Sequence, residues 1–467
     1  MMLDLLVVAF YAAGMLLLGC WGMKRARSSD DYLVAGRRLG PGLYLGTLSA
    51  VVLGGASTVG TIKLGYVYGL SGLWLCGALG LGLIVLSLVL AKPLAKLKLY
   101  TITQLLERRY TPAAKSVSSA VMLAYDLMIA VTSTIAIGTL VTVLFALPSW
   151  VGVVIGGTIV VIYSTLGGMW SLTLTDIVQF VIMTVGMIGL MLPLTVHYAG
   201  GWDTLVASAA PGHFSLTGIG WSTIVTYFVI YFLGILIGQD IWQRVFTARS
   251  TRVARFAGTA AGVYCLIYGA IGALVGVAAS VLLPDLADPN NAFAAIAQLA
   301  LPDGLRGLIV AAAMAAMMST ASAGMLAAST LMTRDLLPAL RGGRQSERVS
   351  SYRLWTLLMG LVTIVIALLV DDVIGALTIA YNLLVGGMLV PILGALYWRR
   401  ASNSGAIAAM AAGSLGVIVF MLKDGLLANS PIYAGLAASL ASFIVVSLLR
   451  PDRSRPVAAE TQPEQSA

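Results

Sequence analysis

Charged residues are scarce in this chain, and their scarcity excludes a soluble protein. Asp, Glu, Lys and Arg make up 10% of the 467 residues, whereas hydrophobic residues make up 59% and the mean hydropathy is +0.95. A soluble protein of this length needs far more charge to cover its surface. The composition therefore indicates a polytopic membrane protein.

Histidine and cysteine are also rare, which limits the chemistry that the side chains offer. The two histidines, His197 and His213, stand apart near one external loop, and the three cysteines are an odd number in apolar surroundings. Neither pattern indicates a metal site, a catalytic triad or a disulfide framework. No glycine-rich cluster precedes the Lys-Ser or Lys-Thr pair of a phosphate-binding loop. We therefore expect no enzyme and no ATP hydrolysis.

Long apolar runs are what the chain has in abundance, each near the ~20 residues that cross ~30 Å of hydrocarbon. Thirteen are predicted, roughly at 3–22, 41–70, 72–94, 115–146, 150–168, 175–197, 220–245, 256–284, 303–332, 354–371, 373–397, 404–422 and 430–449. All but three of the 28 basic residues (Lys63, Arg306 and Lys423) fall in alternate loops between these runs.

Basic loops remain in the cytoplasm, so this pattern supports the thirteen spans and predicts the N-terminus outside and the C-terminus inside. We expect the membrane to be the cytoplasmic (inner) membrane of a bacterium. The net charge of +9 is explained by this asymmetry and by contact with anionic membrane lipids, not by nucleic acid. No obligate protein partner is evident. The tail at 451–467 is rich in Pro, Glu, Gln and Ser, a composition typical of disorder.

Glycines interrupt two of the apolar runs. Gly54 and Gly55 interrupt the second run, and Gly234 and Gly238 interrupt the seventh, five spans later. Such glycines leave backbone carbonyls unpaired in mid-membrane, which is tolerated only where the carbonyls line a site. Paired interrupted helices are typical of transporters that have two inverted repeats and a central binding site.

Three hydroxyl residues, Ser319, Thr320 and Ser322, lie inside the apolar stretch 311–325. Ala316, Ser319 and Thr320 follow i, i+3, i+4 spacing and therefore share one helix face. The hydroxyls either bond back to carbonyls of their own helix, as serines in membranes often do, or they face an ion. Together with the interrupted helix, they predict a small cation held by carbonyls and hydroxyls.

Seven short motifs along most of the chain resemble the sodium/solute symporter family. They are Gly36-Arg-Arg-Leu-Gly-Pro41, Ala91-Lys-Pro-Leu94, Leu166-Gly-Gly-Met-Trp-Ser171, Thr175-Asp-Ile-Val-Gln179, Gly238-Gln-Asp-Ile-Trp-Gln-Arg244, Met318-Ser-Thr320 and Leu396-Tyr-Trp-Arg-Arg400. The resemblance implies an all-α polytopic fold with a LeuT-like core of five-plus-five inverted helices. The expected parts are an extra N-terminal helix (1–23), two repeats (36–200 and 215–398) and two C-terminal helices (403–450).

The resemblance also implies one Na⁺ between the first and eighth core helices. Its ligands would be the carbonyls of Ala50, Leu53 and Ala316 and the hydroxyls of Ser319 and Thr320. Asp176 and Ser322 would belong to the inner release path of the ion or to a second sodium site. Ala323 lacks a hydroxyl, which argues against a second ion. The alternative for Asp176 is a carboxylate stabilised by the dipole at a helix N-terminus.

Three ionisable residues lie inside predicted spans: Lys63, Asp126 and Asp240. Burying such groups in the membrane costs free energy, so they usually have a function. Either Lys63 forms a salt bridge with one of the aspartates, or it receives a substrate carboxylate while Asp126 or Asp240 receives an amine or guanidine. The other candidates for substrate contact lie in the two interrupted helices: Gly54, Ser57, Tyr231 and Gln239.

These features predict a Na⁺-coupled symporter that imports a small polar organic solute by alternating access. Some relatives hold a choline-like cation with a tryptophan where this chain has Val52, so a choline-like solute is disfavoured. Sugar-binding relatives have glutamine where this chain has Ser57, so a hexose is also disfavoured. The remaining solutes are a zwitterion such as an amino acid, a guanidino or amino carboxylate, or an organic acid. Two alternatives stay open, an H⁺-coupled transporter of the same fold and a solute-sensing receptor. The receptor would carry a cytoplasmic signalling domain that this sequence does not show.

Overall fold

The computed structural model describes residues 2–145, 147–342, 348–370 and 372–451. The tail predicted to be disordered lies outside these residues except for Pro451. Within the described ranges the chain forms helices and no strands, with one isolated parallel bridge between Leu39 and Ala248. Helices dominate because backbone N–H and C=O groups in lipid must find their partners inside the protein.

The first part of the chain, up to residue 198, contains eleven α-helices and five short 3₁₀ or π segments. The α-helices are α1 Met2–Met23, α2 Ser29–Val34, α3 Pro41–Val52, α4 Thr61–Tyr68, α5 Trp74–Val85, α6 Ala91–Lys96, α7 Thr103–Arg109, α8 Pro112–Phe145, α9 Ser149–Gly167, α10 Met169–Met183 and α11 Leu192–Tyr198. The short segments are Ala35–Arg37, Ala56–Gly60, Gly69–Leu73, Leu86–Leu90 and Thr184–Met191.

The rest of the described chain contains twelve α-helices and three short segments. The α-helices are α12 Trp202–Ser208, α13 Trp221–Tyr227, α14 Leu233–Ile235, α15 Gln239–Val245, α16 Thr251–Leu282, α17 Ala292–Ala300, α18 Leu305–Leu331, α19 Leu337–Leu340, α20 Val349–Ala367, α21 Val373–Tyr397, α22 Asn403–Asp424 and α23 Ser430–Leu449. The short segments are Phe228–Phe232, Pro289–Asn291 and Met332–Leu336.

The predicted count of thirteen spans is not confirmed. In the described part of the chain, 11 helices are long and apolar enough to cross a membrane, or 12 if the pair Trp221–Ile235 and Gln239–Val245, bent by 47°, is one span. The difference arises in the predicted run 41–70, which folds as two short pieces. The second piece continues without a gap into the next helix, although the chain turns back at Gly69 (φ +67°) and brings Gly72 against Gly65.

Helix α18 lies at the centre of the molecule, packed against α1, α3, α8, α9, α10 and α20. Nearly all of its residues are buried. Small residues allow this close packing, because a Cβ at Gly324 would lie 2.4 Å from the carbonyl oxygen of Asp126 on α8. The C-terminal helices α22 and α23 pack on each other and on α21 at the outside.

The first helix is fixed to the start of α18 by the buried carboxylate of Asp4. Its Oδ2 lies 2.6 Å from Nη2 of Arg306, and its Oδ1 accepts the N–H groups of Gly304 and Gly307, each at 2.8 Å. The N-terminus of the chain and the start of α18 therefore lie on the same face of the protein. The clustered basic loops lie on the opposite face, called here the basic face.

Candidate functional site

The first interrupted helix is broken where the glycines stand. Helix α3 ends at Val52, Leu53 has non-helical torsions (φ −95°, ψ 59°), and the helix resumes at Gly55 with a π turn over Ala56–Gly60. The break frees carbonyl groups, and side chains take them: Val52 O accepts the Ser57 hydroxyl at 3.0 Å. A Cβ on Gly54 would lie 2.6 Å from Thr320 Oγ1, so only glycine allows the break to approach α18 this closely.

The hydroxyls of α18 meet this break. Thr320 Oγ1 donates to Val51 O at 2.7 Å and lies 3.4 Å from Ala316 O. Ser319 Oγ donates to Asp176 Oδ1 at 2.6 Å, whereas Ser322 Oγ bonds back to Ser319 O at 2.8 Å. Ser322 thus bonds back to its own helix, whereas the hydroxyls of Ser319 and Thr320 bond to other helices.

The five residues predicted to bind Na⁺ are all buried: Ala50, Leu53, Ala316, Ser319 and Thr320. The contacts of Thr320 reach Ala316 O and Val51 O, and Val51 stands between Ala50 and Leu53 in the chain. In this conformation their hydroxyls bond to protein oxygens. The arrangement offers several neutral oxygens and one nearby carboxylate, which is the oxygen-rich environment that unwound helices provide for Na⁺ in transporters.

Asp176 lies behind this cluster and is an ion-pair partner, not a helix cap. It is the eighth residue of α10, beyond the first turn in which the helix dipole acts. Its carboxylate accepts the hydroxyls of Ser319 and Thr47 and lies 3.3 Å from Nη2 of Arg244. Arg244 and Thr47 were not predicted as site residues. The signal for Arg244 was its place in the second interrupted helix, four residues after Asp240.

A small cavity of about 30 Å³ lies beside the break, with space for about one water molecule. It is lined mainly by residues of the break, α8, α15 and α21: Val51, Val52, Gly54, Gly55, Ala56, Ser57, Thr132, Ser133, Asp240, Thr320 and Tyr381. Asp240 Oδ1 accepts the hydroxyl of Tyr125 at 3.1 Å. Asp126 is buried close to Asp240, and neither of its carboxylate oxygens has a side-chain hydrogen-bond partner among the described residues.

Lys63 is not part of this cavity. It lines a separate cavity of about 330 Å³ towards the face that carries the N-terminus, together with Asp288 and Asp372. The salt bridge with Asp126 or Asp240, one of the two alternatives for Lys63, is not formed, since none of the described carboxylates pairs with Lys63. A single site that uses Lys63 and either aspartate at once is not formed in this conformation.

Two other predicted residues face away from the cavity. Gln239 is held by the backbone, because its Nε2 donates to Tyr100 O at 3.0 Å and its Oε1 accepts the N–H of Ile102 at 2.8 Å. Tyr231 packs edge-on against Tyr381, with ring centroids 5.2 Å apart, and stands behind the cavity wall. Thr132, Ser133 and Tyr125 were missed because hydroxyls on a long apolar helix give no signal of which neighbour they face.

Solved structures share the overall fold of this chain. A Na⁺-coupled sialic acid symporter in a substrate-bound, outward-open state superposes with a TM-score of 0.84 at 19% identity, over 97% of this chain and 99% of that chain. Mhp1, a nucleobase-cation-symport-1 family transporter in a closed conformation, gives 0.60 at 14% identity, over 92% and 97% of the two chains. The fold is therefore the LeuT-like fold found in multi-pass membrane transporters.

The sequence defines the family within that fold. The model of the sodium:solute symporter family matches residues 32–413, and the chain belongs to this family. Sodium/proline symporters of Staphylococcus aureus, strains JH9 and JH1 among them, are 28% identical over 474 residues, covering 94% of this chain and 90% of theirs. The family resemblance predicted from the motifs is confirmed. Membership supports Na⁺-coupled solute import, with sodium as the coupling ion and a small molecule as the substrate.

Proposed function

We propose that this protein imports an amino-acid-like zwitterion together with Na⁺ across the cytoplasmic membrane of a bacterium, with its basic face inside. The observation that carries the proposal is the 2.7 Å contact between Thr320 Oγ1 and Val51 O at the break of the first interrupted helix. An ion placed there bridges two helices that belong to different parts of the chain. Ion binding therefore changes the shape of the segment that lines the small cavity.

The proposed ion site uses the carbonyls of Ala50, Leu53 and Ala316 with the hydroxyls of Ser319 and Thr320. Unwound backbone carbonyls and nearby hydroxyls satisfy Na⁺ without a net charge of their own. Asp176 accepts a hydrogen bond from Ser319, so the carboxylate lies next to the proposed ligands and is suited to the release path. Ser322 bonds to its own helix, and its neighbour Ala323 has no hydroxyl, so we propose one ion at this place.

The proposed solute carries both charges because the cavity offers a partner for each. Asp240 lines the cavity, and the buried carboxylate of Asp126 lies close to it, which favours an ammonium group. The helix that resumes at Gly55 presents first-turn N–H groups that lack helical partners, and these favour a carboxylate. Proline and sialic acid, named for two of the similar proteins, are both carboxylates.

The narrow wall formed by Gly54, Gly55, Ala56 and Ser57 suits a small solute. A cavity of about 30 Å³ holds no amino acid, so the described conformation is closed around this place. Alternating access then requires that α4 and α8 separate towards the cavity that Lys63 lines. We propose Lys63 as a contact for the solute carboxylate on this outer path, not at the central cavity.

A proton is the second candidate for the coupling ion. The observation that favours it is Asp126, whose two carboxylate oxygens are buried without a side-chain hydrogen-bond partner among the described residues. An ionised carboxylate is costly in such surroundings. The solute-sensing receptor has no such observation in its favour.

The test uses full-length protein in proteoliposomes. A thermal-shift screen of amino acids, guanidino acids and short carboxylates, each with and without Na⁺, first selects the solute, with L-proline as the first probe. Uptake is then measured under an imposed Na⁺ gradient and, separately, an imposed H⁺ gradient. The double variant Ser319→Ala/Thr320→Ala is expected to lose the Na⁺-stimulated part of uptake.

Thr363→Ala is the matched control for this test. Its hydroxyl is buried on α20 and bonds to Met359 O of its own helix at 2.9 Å. The control therefore also removes a buried hydroxyl, but not one of the proposed ion site. The control is expected to keep Na⁺-stimulated uptake. Unchanged sodium stimulation in the double variant would falsify the ion site. Uptake driven by the H⁺ gradient alone would mean that the coupling ion is a proton and not Na⁺.

A further inference from the structure

A cavity of about 410 Å³ lies on the basic face, apart from the ion and solute sites. It is bordered by the end of α1, the segment that leads to α3 and the start of α10. Its lining residues are mostly basic: Lys24, Arg25, Arg27, Asp31, Arg38 and Trp170. Four cations against one carboxylate give this cavity a local charge of about +3, so it is suited to an anion.

The only carboxylate in this lining is already engaged. Asp31 pairs with Arg38, whereas Lys24, Arg25 and Arg27 form no ion pair with any carboxylate that the structure describes. A solvated surface cluster is the ordinary explanation for such charges. The difference here is that the cations border one open cavity and that one of them is fixed in position.

Aromatic rings hold that cation in place. The guanidinium of Arg25 lies 5.0 Å from the ring centroid of Trp21 and 5.1 Å from that of Trp170, and Arg38 lies 5.7 Å from Trp170. These distances are within the range of cation–π attraction. A positioned guanidinium loses less side-chain entropy when it binds phosphate oxygens, which its planar donors match.

The cavity lies at the level of lipid headgroups. Leu17 and Trp21, in the last two turns of α1, are 71% and 50% exposed and face the lipid. An exposed tryptophan at the end of a span is typical of the membrane interface. Basic pockets between helices on the cytoplasmic side of a membrane are suited to anionic headgroups.

We propose that this cavity binds the phosphate of an anionic membrane lipid. The phosphate oxygens accept charge-assisted hydrogen bonds from Arg25, Lys24 and Arg27. The acyl chains lie along the exposed side of α1 beside Leu17. The occupant is a lipid and not a free anion, because the cations and the exposed apolar residues border the same place.

The site also has a structural connection to the closed basic face. Arg38 precedes Leu39, whose N–H donates to Thr247 O at 3.0 Å and whose carbonyl accepts the N–H of Arg249 at 3.0 Å. These bonds join the segment before α3 to the segment after α15. A lipid that fixes Arg38 and Trp170 therefore favours the conformation in which the two interrupted helices are joined on this face.

The experiment measures lipid binding, so its result does not depend on the proposed transport function. Full-length protein is delipidated in dodecyl maltoside and titrated with phosphatidylglycerol or phosphatidylcholine while its melting temperature is recorded. Phosphatidylglycerol is expected to raise the melting temperature saturably, and phosphatidylcholine far less. Each basic residue removed from the cavity is expected to weaken apparent phosphatidylglycerol binding about fivefold.

Three variants test whether the basic residues of the cavity bind the lipid. Arg25→Gln and the double variant Lys24→Gln/Arg25→Gln remove cations, whereas Arg25→Lys keeps the charge and should retain most of the binding. Arg400→Gln is the control, because Arg400 is an exposed cation of the basic loops outside the cavity. The proposal is overturned if the double variant binds phosphatidylglycerol as the parent protein does. It is also overturned if inorganic phosphate at millimolar concentration gives the same saturable shift, since the site would then be one for a free anion.

Discussion

The buried pair of Asp176 and Arg244 offers the most direct test of how α10 is held to the second interrupted helix. The carboxylate and the guanidinium are 3.3 Å apart, and their side chains are 0% and 1% exposed. Removing one partner of such a pair leaves an uncompensated buried charge, which costs about 3–5 kcal/mol in proteins. Arg244→Gln should lie at the lower end of this range, because Ser319 and Thr47 still donate hydrogen bonds to Asp176.

Asp176→Asn leaves the opposite charge behind. The guanidinium keeps a long contact of 3.5 Å to the carbonyl oxygen of Asp240 and the attraction of the Asp240 carboxylate, while its Nε has no partner among the described residues. We therefore expect Asp176→Asn to cost about as much as Arg244→Gln. The double variant Asp176→Asn/Arg244→Gln should cost less than the sum of the two, with a coupling energy on the order of 1–3 kcal/mol.

The assay is thermal unfolding in detergent followed by tryptophan fluorescence. An unfolding entropy of ~2.1 cal/mol/K per residue corresponds to on the order of 1 °C per kcal/mol for a chain of this length. Each single variant should thus melt ~3–5 °C lower. Arg38→Gln is the control, because its pair with Asp31 is exposed and is expected to contribute less than about 1 kcal/mol. Strictly additive losses, or single variants as stable as the control, would refute the reasoning.

Three further predictions concern the cavity beside the break and its neighbour Gln239. Gly55→Ala places a Cβ 2.5 Å from that of Ala136, so it should lower the free energy of unfolding by about 1–3 kcal/mol and also lower uptake. Adding Ala136→Gly to this variant should restore uptake. A fully active Gly55→Ala protein would contradict this close approach. Asp240→Asn should raise the KM for uptake of a zwitterion at least about tenfold, because the charged hydrogen bond to its ammonium group is lost. Gln239→Met should lower the melting temperature and leave the KM within about twofold, and the opposite pattern would place Gln239 against the solute.

Local signals in the sequence were sufficient for much of the fold. Apolar runs identified most of the membrane spans, because each span must be apolar along its whole length. Gly54 and Gly55 indicated the first break, since few other reasons place two glycines in mid-membrane. The hydroxyls of Ser319 and Thr320 were conspicuous because lipid offers them no partner. These features depend on residues that are close together in sequence.

Features that depend on how helices are rotated and packed were not predictable from the sequence. Arg244 was counted with the basic loops, yet it is buried against Asp176 because α15 packs beside α3 and α18. Lys63 and Asp240 were considered for one site, but they line different cavities. Gln239 stands beside Asp240 in the sequence and points elsewhere, since neighbouring residues on a helix are turned about 100° from each other.

Coupling requires that the ion and the solute use the same structural element, and the proposed sites meet that requirement in residues 50–57. The carbonyls of Ala50 and Leu53 are the proposed ligands of the ion, while the amide groups from Gly55 to Ser57 are the proposed partners of the solute carboxylate. An ion that fixes this segment reduces the ordering that solute binding must still achieve, which is positive cooperativity. One Na⁺ moving down 150 mV releases ~3.4 kcal/mol, and a tenfold gradient adds ~1.4 kcal/mol. Together these support about three decades of solute accumulation, so a single ion suffices for the proposed uptake without the second site that Ala323 argues against.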